Sequence, residues 1–256
     1  LTGLPPSLER TEALLATKSR AEGLSQLDYG NLVDELLASP QFAERMAMYW
    51  LDLVRFADTT GVHADNPWDV HPYRDWVIQA FRDNMPFDQF TREQIAGDLL
   101  ANATQSQRVA AAYNRLNLIT REGGSQPKEF LVRYTADRVR NVSTVWLGAT
   151  VGCAECHDHK FDPISARDFY RLGAFFADIE QVGVYSQGAK NARYFGPYLA
   201  VPTPEQAAQL AELDMGVEQA QEVLNTPTAE LQEAQSIWER SVLESPVVEP
   251  TFGDWH

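Results

Sequence analysis

The stretch FAERMAMYWLDLVRFA, residues 42–57, decides the fold class of this chain. Its apolar residues recur three and four positions apart, which is the spacing of one face of an α-helix. Met46, Trp50 and Leu53 are predicted to face the core. The stretch YGNLVDELLA, residues 29–38, has the same spacing. A proline at position 40 separates the two helices, because proline disfavours helical geometry in the residue before it.

Most of the remaining chain has the same helical character. Two polar stretches interrupt it, the first loop, residues 58–72, and the second loop, residues 121–127. Residues 204–243 are rich in Ala, Glu, Gln and Leu, which predicts a solvated helical hairpin broken at 225–227. The predicted fold class is mainly α, a helical bundle-like domain with few strands and this C-terminal helical hairpin. Other helices are predicted from residue 7 to about 23 and over 73–82, 87–100, 105–120, 127–147 and 165–176.

The negative charge of the chain disfavours one class of partner, the nucleic acids. The formal net charge is −15 and the isoelectric point is near 4.7, which disfavours nucleic-acid binding, since that requires a basic face. No run of about 18 apolar residues occurs, so no membrane span is predicted. The sequence opens at Leu1 without the basic and apolar regions of a secretory signal. We interpret it as a segment of a longer or processed polypeptide.

The stretch Cys153-Ala154-Glu155-Cys156-His157 is the C-x-x-C-H pattern of covalent haem attachment. Residues three apart share a face of a helical turn, so both thiols can form thioethers with one edge of a porphyrin. The adjacent imidazole then reaches the iron. We predict one covalent haem c bound through Cys153, Cys156 and His157, with His157 as proximal iron ligand. Two alternatives stay open: a thioredoxin-like dithiol, which needs a preceding strand, and a zinc site that adds His159.

The distal side of such a haem decides between electron transfer and catalysis. We predict His63, in the first loop, as the distal or active-site group, with His71 as its neighbour in the same loop. His159 lies too close to His157 to cross the ring, and is predicted to act at the haem edge as an acid or base. Less favoured candidates are His256 at the C-terminus, and Met46 and Met48, for which core packing is the better explanation.

Charged residues in the two loops complete the predicted catalytic set. This set is His63, His159, Arg74 and Glu122. Each charged member also has a structural interpretation, as a helix cap or a surface ion pair. Arg74 in particular has an acidic neighbour, Asp75, with which it can pair inside its own helix. Trp68 and Tyr73 beside the first loop are candidates for stacking on sugar rings, and are equally well explained as core residues.

Several long stretches resemble the PSCyt2 (DUF1549) family of cytochrome-associated domains, which is abundant in planctomycetes. The resemblance covers roughly the first 180 residues. It implies that Gly61-Val62-His63-Ala64-Asp65 belongs to the family's motifs, which favours His63 over His71. The stretches are LTGLPP (1–6), LLASPQFAERMAMYWLDLVRFADT (36–59), PYRDWVIQAF (72–81), MPFDQFTREQIAGDLL (85–100), YNRLN (113–117), REGGSQPKEF (121–130) and ADRVRNVSTVWLGATVGCAECHDHKFDPIS (136–165).

The resemblance also implies a setting. Such domains commonly lie between a cytochrome c-like domain and a DUF1553 (PSD1) domain, so the expected partners are other segments of the same polypeptide or a DUF1553-like protein. Gene neighbourhoods rich in sulfatases and glycoside-degrading enzymes imply a role in degrading polysaccharides, including sulfated glycans. The predicted organisation is a DUF1549-like c-type haem domain over 1–182, an extended connector over 183–203, and over 204–256 the hairpin with the start of a further segment.

Three functions follow as hypotheses. The first is a periplasmic, or otherwise extracytoplasmic, haem-dependent oxidoreductase acting on a carbohydrate or a molecule derived from one, with a redox partner protein. The second is an electron-transfer cytochrome module without a substrate of its own. The third is a carbohydrate-binding component in which the haem is structural. The first hypothesis is favoured because the chain is larger than one haem needs for electron transfer and because it contains two polar loops.

Overall fold

The computed structural model describes residues 1–16, 26–62, 65–185 and 196–244, and the chain divides into two compact units, Leu1–Val201 and Pro202–His256. The described residues contain helices and three isolated β-bridges but no strand, which confirms the mainly-α fold. None of the described helices is both long and apolar enough to cross a membrane. The α-helices are α1 (Leu8–Ala16), α2 (Gln26–Leu37), α3 (Pro40–Leu53), α4 (His71–Arg82), α5 (Phe87–Ala96), α6 (Gln105–Ala110), α7 (Pro127–Leu147), α8 (Ala166–Ala174), α9 (Pro204–Asn225) and α10 (Ala229–Glu244), with 3-10 helices at Gly97–Leu99, Ala111–Arg115 and Val151–Glu155.

Trp50 on α3 lies at the centre of the core. Its indole nitrogen donates to Gln94 Oε1 at 2.9 Å, and the same oxygen accepts from the hydroxyl of Tyr73 at 2.6 Å. The indole ring meets Phe90 and Trp146 edge-on, with centroids 4.8 and 5.3 Å apart. Because the buried amide satisfies both polar rings, aromatic side chains can fill the space between α3, α4, α5 and α7 without leaving their polar atoms unpaired.

The buried face of α3 differs from the predicted one. Trp50 is buried and Met46 is half-buried, but Leu53 is 51% exposed and Met48 is 57% exposed. Core packing of Leu53 and Met48 was therefore a wrong prediction. The buried residues on this helix and directly after it are Ala43, Ala47, Trp50 and Val54, spaced four, three and four apart. Small alanines let the neighbouring helix approach on that side, which turns Leu53 and Met48 toward solvent.

Helix α7 connects the two regions that matter for function. Arg138 is buried near its middle, where Nε donates to the Asn114 carbonyl at 2.6 Å and the guanidinium also bonds Asn117 and Gln181. Burial lowers the pKa of Arg138 to about 10. Gly148 ends the helix with a left-handed φ of 59°, a geometry that suits glycine. One rigid helix thus carries the second loop at its start and the cysteines just beyond its end.

Residues 116–120 are not helical, contrary to the prediction for 105–120. The Ile119 N–H donates to the Thr60 carbonyl at 3.2 Å, and the Thr120 carbonyl accepts from the Tyr185 N–H at 3.0 Å. The Tyr134 hydroxyl of α7 donates to the Gly183 carbonyl at 2.8 Å. These backbone groups find partners in other segments instead of in a helix. We call this meeting of residues 59–61, 119–120 and 183–185 the loop junction.

The second unit contains α9 and α10, where the hairpin was predicted. Helix α9 opens with a capping box, in which Thr203 Oγ1 accepts from the Gln206 N–H while the Gln206 side chain accepts from the Thr203 N–H. No residue of either helix is buried, as expected of solvated helices. The proposed boundaries at 182 and 203 stay a prediction.

Candidate functional site

The 3-10 helix Val151–Glu155, together with Cys156 and His157, forms what we call the cysteine turn. A 3-10 helix has three residues per turn, so side chains three apart lie directly above one another. Val151 and Ala154 form one such row and are buried, at 5% and 0% exposure. Cys153 and Cys156 form another row, and both are exposed. The turn therefore exposes both cysteines to solvent, while Val151 and Ala154 anchor it in the core.

The third row of the turn faces α7 and α8. A Cβ added to Gly152 would lie 2.8 Å from Cγ of Arg140, so glycine allows the turn to lie close against α7. Glu155 is ion-paired with the same Arg140, and its carbonyl accepts from the Tyr170 hydroxyl of α8 at 3.0 Å. With two of three rows fixed, only the cysteine row is left free for chemistry.

His157 is the last residue of the cysteine turn and is exposed. Its Nδ1 lies 2.8 Å from the backbone carbonyl of Asp158. A carbonyl can only accept, so Nδ1 is the protonated nitrogen in this contact and Nε2 keeps its lone pair. A hydrogen bond at one ring nitrogen fixes the tautomer and ring orientation with which the other nitrogen binds a metal. The tautomer of this imidazole therefore leaves Nε2 as the nitrogen that can bind a metal.

His159, two residues further, is used differently. Its side chain is only 6% exposed. Its Nδ1 accepts backbone N–H groups from Asp162 at 2.9 Å and Phe161 at 3.3 Å, and its Nε2 lies 3.1 Å from Thr150 Oγ1. Because Nδ1 is an acceptor, Nε2 carries the proton of the neutral ring. Both nitrogens already serve the loop, which makes His159 a structural side chain in this state.

The chain after the cysteine turn is tied to α8. Asp158 accepts from the Ala166 N–H at 2.8 Å, in the first turn of α8. Ser165 and Asp168 form a capping box at the same end, a spacing that sequence inspection alone can find. Several backbone groups of residues 158–165 are therefore bonded locally, and none of these bonds involves the cysteines.

The two alternatives for the cysteines gain no support from this geometry. Among the residues that the structure describes, no three His, Cys, Asp or Glu side chains are grouped so that they could hold a metal ion. A zinc site needs four ligands at once. The chain before the turn is α7, not the strand that a thioredoxin-like dithiol follows. Neither finding bears on a haem, which requires only the two thiols and one imidazole.

The first loop closes on itself through Gly61 and Asp65. The Gly61 N–H donates to Asp65 Oδ1 at 2.8 Å, and Gly61 has a left-handed φ of 77°. Hydrogen bonds from Thr59 and from the Gly61 backbone lower the pKa of Asp65. The glycine and aspartate of the G-x-H-x-D pattern thus have a structural role. His63, between them, lies outside the described residues, as does His256.

The structure places the loop residues and the cysteine turn on different parts of α7. The loop junction contacts Tyr134 and the cysteine turn contacts Arg140. These positions are about 9 Å apart along a helix and about 120° apart around it.

Glu122 is exposed in the second loop, next to that junction. Arg74 pairs with its neighbour Asp75 at 3.0 Å, in the way its structural interpretation predicts, and His71 is exposed at the start of α4.

A cavity of about 410 Å³ lies elsewhere in the first unit, between the first loop, the 97–99 turn, α6 and residues 197–201. Trp68 and Tyr73 line it, and Tyr73 is also a core residue at 1% exposure. Sequence inspection missed Asp98 and Arg108, which line the same cavity. They come from two different segments of the chain, so only the fold brings them together.

The model of the PSCyt2 family, described as a protein of unknown function (DUF1549), matches residues 1–181. No curated protein and no solved structure matches the chain. The match covers the whole of α1–α8 and includes both the cysteine turn and the first loop. This chain therefore belongs to the PSCyt2 (DUF1549) family.

Proposed function

We propose that this chain binds one haem c covalently through Cys153 and Cys156, with His157 as the proximal iron ligand, and acts as a redox protein outside the cytoplasm. The observation that carries the proposal is the arrangement of the cysteine turn. Cys153 in the 3-10 helix and Cys156 directly after it are both exposed, while the other residues of the turn are fixed by the core and by Arg140. Thioether formation needs accessible thiols, and this exposure supports the proposal.

The imidazole supports the same proposal. With Nδ1 donating to the Asp158 carbonyl, the free Nε2 of His157 is a neutral nitrogen ligand of the kind that haem iron takes. His159, although adjacent, is held by the backbone of its own loop and does not compete for the metal. The residues present therefore fit the group, and a bound haem would supply one-electron oxidation and reduction.

Two exposed aromatic side chains lie near the cysteine turn. Phe161 is 84% exposed and Tyr170 is 60% exposed, although both lie close to the turn. A porphyrin held by the two cysteines would have these two rings within its surroundings for apolar contact. An edge of the cofactor near the protein surface would suit electron exchange with a redox partner protein.

Electron transfer is thus the role that this geometry favours. A haem-dependent oxidoreductase linked to polysaccharide degradation is the second candidate, and the observation that favours it is the cavity of about 410 Å³ in the same unit. Both candidate functions have the same proposed partners, a DUF1553-like protein or other segments of the polypeptide.

The proposal is tested by producing the chain in a host that attaches c-type haem outside its cytoplasm. The denatured protein should give a pyridine haemochrome spectrum and keep its colour after extraction with acidified acetone. Cys153→Ser with Cys156→Ser should abolish the signal. His71→Gln is the matched control, because His71 is exposed and is not part of the cysteine turn, and it should leave haem content unchanged.

Cyanide then separates the two roles. A native ferric spectrum that cyanide does not change would favour the electron-transfer module, because both axial positions are then filled. Cyanide binding would favour the oxidoreductase. Colourless protein from a host that loads a control cytochrome would contradict the haem proposal itself.

A further inference from the structure

We propose that a second pocket, beside Glu93, binds a primary alkylammonium group, the charged end of a lysine side chain or of a free amine. The pocket has a volume of about 280 Å³, close to the lower end of the usual range for small-molecule sites, about 300 Å³. It lies between α5, α6 and Leu100, and no residue of the cysteine turn lines it.

Glu93 is the residue that points to a ligand. It is only 5% exposed, and glutamate is almost never so buried unless its charge is paired. Its Oε1 accepts from Gln89 Nε2 at 3.0 Å and from Gln107 Nε2 at 3.2 Å. Within the described part of the chain, no group donates to Oε2 and no cation pairs with the carboxylate. The pocket therefore contains a buried negative charge that two neutral amides orient but do not neutralise.

The fold holds this carboxylate in place. Gly97 lets α6 lie against the end of α5, because a Cβ at that position would overlap the Gln107 carbonyl oxygen. At the start of α6, Gln107 Oε1 accepts from the Thr104 N–H at 3.0 Å as part of a capping box. Since the cap uses the oxygen of this amide, its nitrogen is the atom that reaches Glu93. The arrangement is formed before any ligand binds.

The rest of the lining decides which cation fits. Pro86 and Leu100 add apolar surface, which a hydrocarbon stem can cover. Glu93 Oε2 and Gln89 Oε1 have no partner among the described residues, and both can accept from an ammonium group, which has only donors. A divalent metal ion needs more oxygen ligands, and no three acidic, His or Cys side chains of the described residues are grouped for one.

The pocket also contains a competing cation. Arg92 and Asp88 line it, and Arg92 Nη2 donates to Asp88 Oδ2 at 3.2 Å with both side chains exposed. The guanidinium is thus engaged by an exposed partner and leaves Glu93 unpaired. Its positive charge repels an incoming ammonium group, so its removal should strengthen binding.

The test is a titration of the folded chain with n-butylammonium, with Nα-acetyl-lysine methylamide and with the neutral analogue n-butanol, followed by isothermal calorimetry and ligand-observed NMR. At least one ammonium compound should bind saturably in the millimolar range, and n-butanol about tenfold more weakly. A higher affinity for the lysine compound would identify a side chain of a partner protein as the source of the ammonium group, and a higher affinity for n-butylammonium a free amine. Either order supports the proposal.

Three variants locate the binding. Glu93→Gln keeps an oxygen that can accept from Gln89 and Gln107, and should weaken ammonium binding by about tenfold, the expected loss of a hydrogen bond to a charged group. Arg92→Gln should tighten binding by about twofold. Glu44→Gln, which removes an exposed glutamate of α3 outside the pocket, is the matched control and should leave the affinity unchanged.

Urea unfolding without ligand separates binding from folding. Glu93→Gln should be at least as stable as the unaltered chain, because it removes a buried charge that has no counter-ion. The proposal is overturned if that variant is clearly less stable, if neither ammonium compound binds, if n-butanol binds as tightly as they do, or if Glu93→Gln binds as tightly as Glu44→Gln. The titration requires no haem, so its failure would leave the haem proposal intact, and the reverse also holds.

Discussion

The cysteine turn and the first loop each contain a short polar motif. The two regions differ in whether the polar side chains of the motif hold the local backbone. In the cysteine turn, both cysteines and His157 are exposed, and only Nδ1 of the imidazole is used, in a contact with the Asp158 carbonyl. In the first loop, Gly61 and Asp65 bond to each other, and Thr60 bonds to Asn66. Reactive groups that the fold does not itself use are the ones that remain for a cofactor.

The same contrast separates two neighbouring histidines. His157 has one nitrogen bonded to its own backbone region and is exposed, whereas His159 is nearly buried with both nitrogens engaged. Chemical type alone does not distinguish them. Their hydrogen-bond partners do, and substitutions at the two regions should therefore have different consequences.

The largest expected effect on stability is at the loop junction. A Cβ at Gly183 would lie 2.0 Å from the Pro127 carbonyl oxygen, which is backbone and cannot move aside. Gly183→Ala should lower the free energy of unfolding by about 3 kcal/mol. Gly152→Ala in the cysteine turn meets the Arg140 side chain instead, which can swing toward solvent, and should cost about 1 kcal/mol. Urea unfolding followed by circular dichroism measures both, and equal losses would contradict the comparison.

A smaller effect is expected for the two histidines. His159→Ala removes the acceptor of two backbone N–H groups and should lower the free energy of unfolding by about 2 kcal/mol. His157→Ala, at an exposed site, should change the stability of the haem-free chain by less than about 0.5 kcal/mol. Thermal and urea unfolding of both variants, compared on haem-free protein, test this. A larger loss for His157→Ala would mean that its imidazole is structural.

The smallest expected effect depends on pH. The pKa of Asp65 is lowered in the folded chain by hydrogen bonds from Thr59 and from the Gly61 N–H. A lowered folded-state pKa adds stability above the ordinary value of 3.8, and that stability is lost as the pH falls through the folded-state pKa. Asp65→Asn should therefore be less stable than the unaltered chain at pH 7, with the difference shrinking toward pH 3. A difference that is constant with pH would contradict this role.

Much of the fold could be predicted because its signals are local. Helix α7 and the break before α3 follow from apolar spacing and from Pro40, and the haem motif is contiguous in the sequence. Leu53 and residues 116–120 could not be assigned in the same way. The direction of Leu53 depends on which helix packs against Ala43 and Ala47, and residues 119–120 pair with segments about 60 residues away on either side.

The same distinction between local and long-range signals applies to the candidate site. The residue types at Cys153, Cys156 and His157 could be read from the sequence, but the 3-10 helix that leaves both cysteines exposed is held by contacts with Arg140 and the core. The structural role of His159 requires knowing the backbone N–H groups around it. Asp98 and Arg108 meet only after folding, so no local pattern marks them.

The most direct test of the central claim is the intact mass of the denatured chain after production in a host that attaches c-type haem. The account predicts the mass of the polypeptide plus one haem, and the mass of the polypeptide alone for Cys153→Ser with Cys156→Ser. An unmodified mass for the unaltered chain, from a host that loads a control cytochrome in the same experiment, would contradict it.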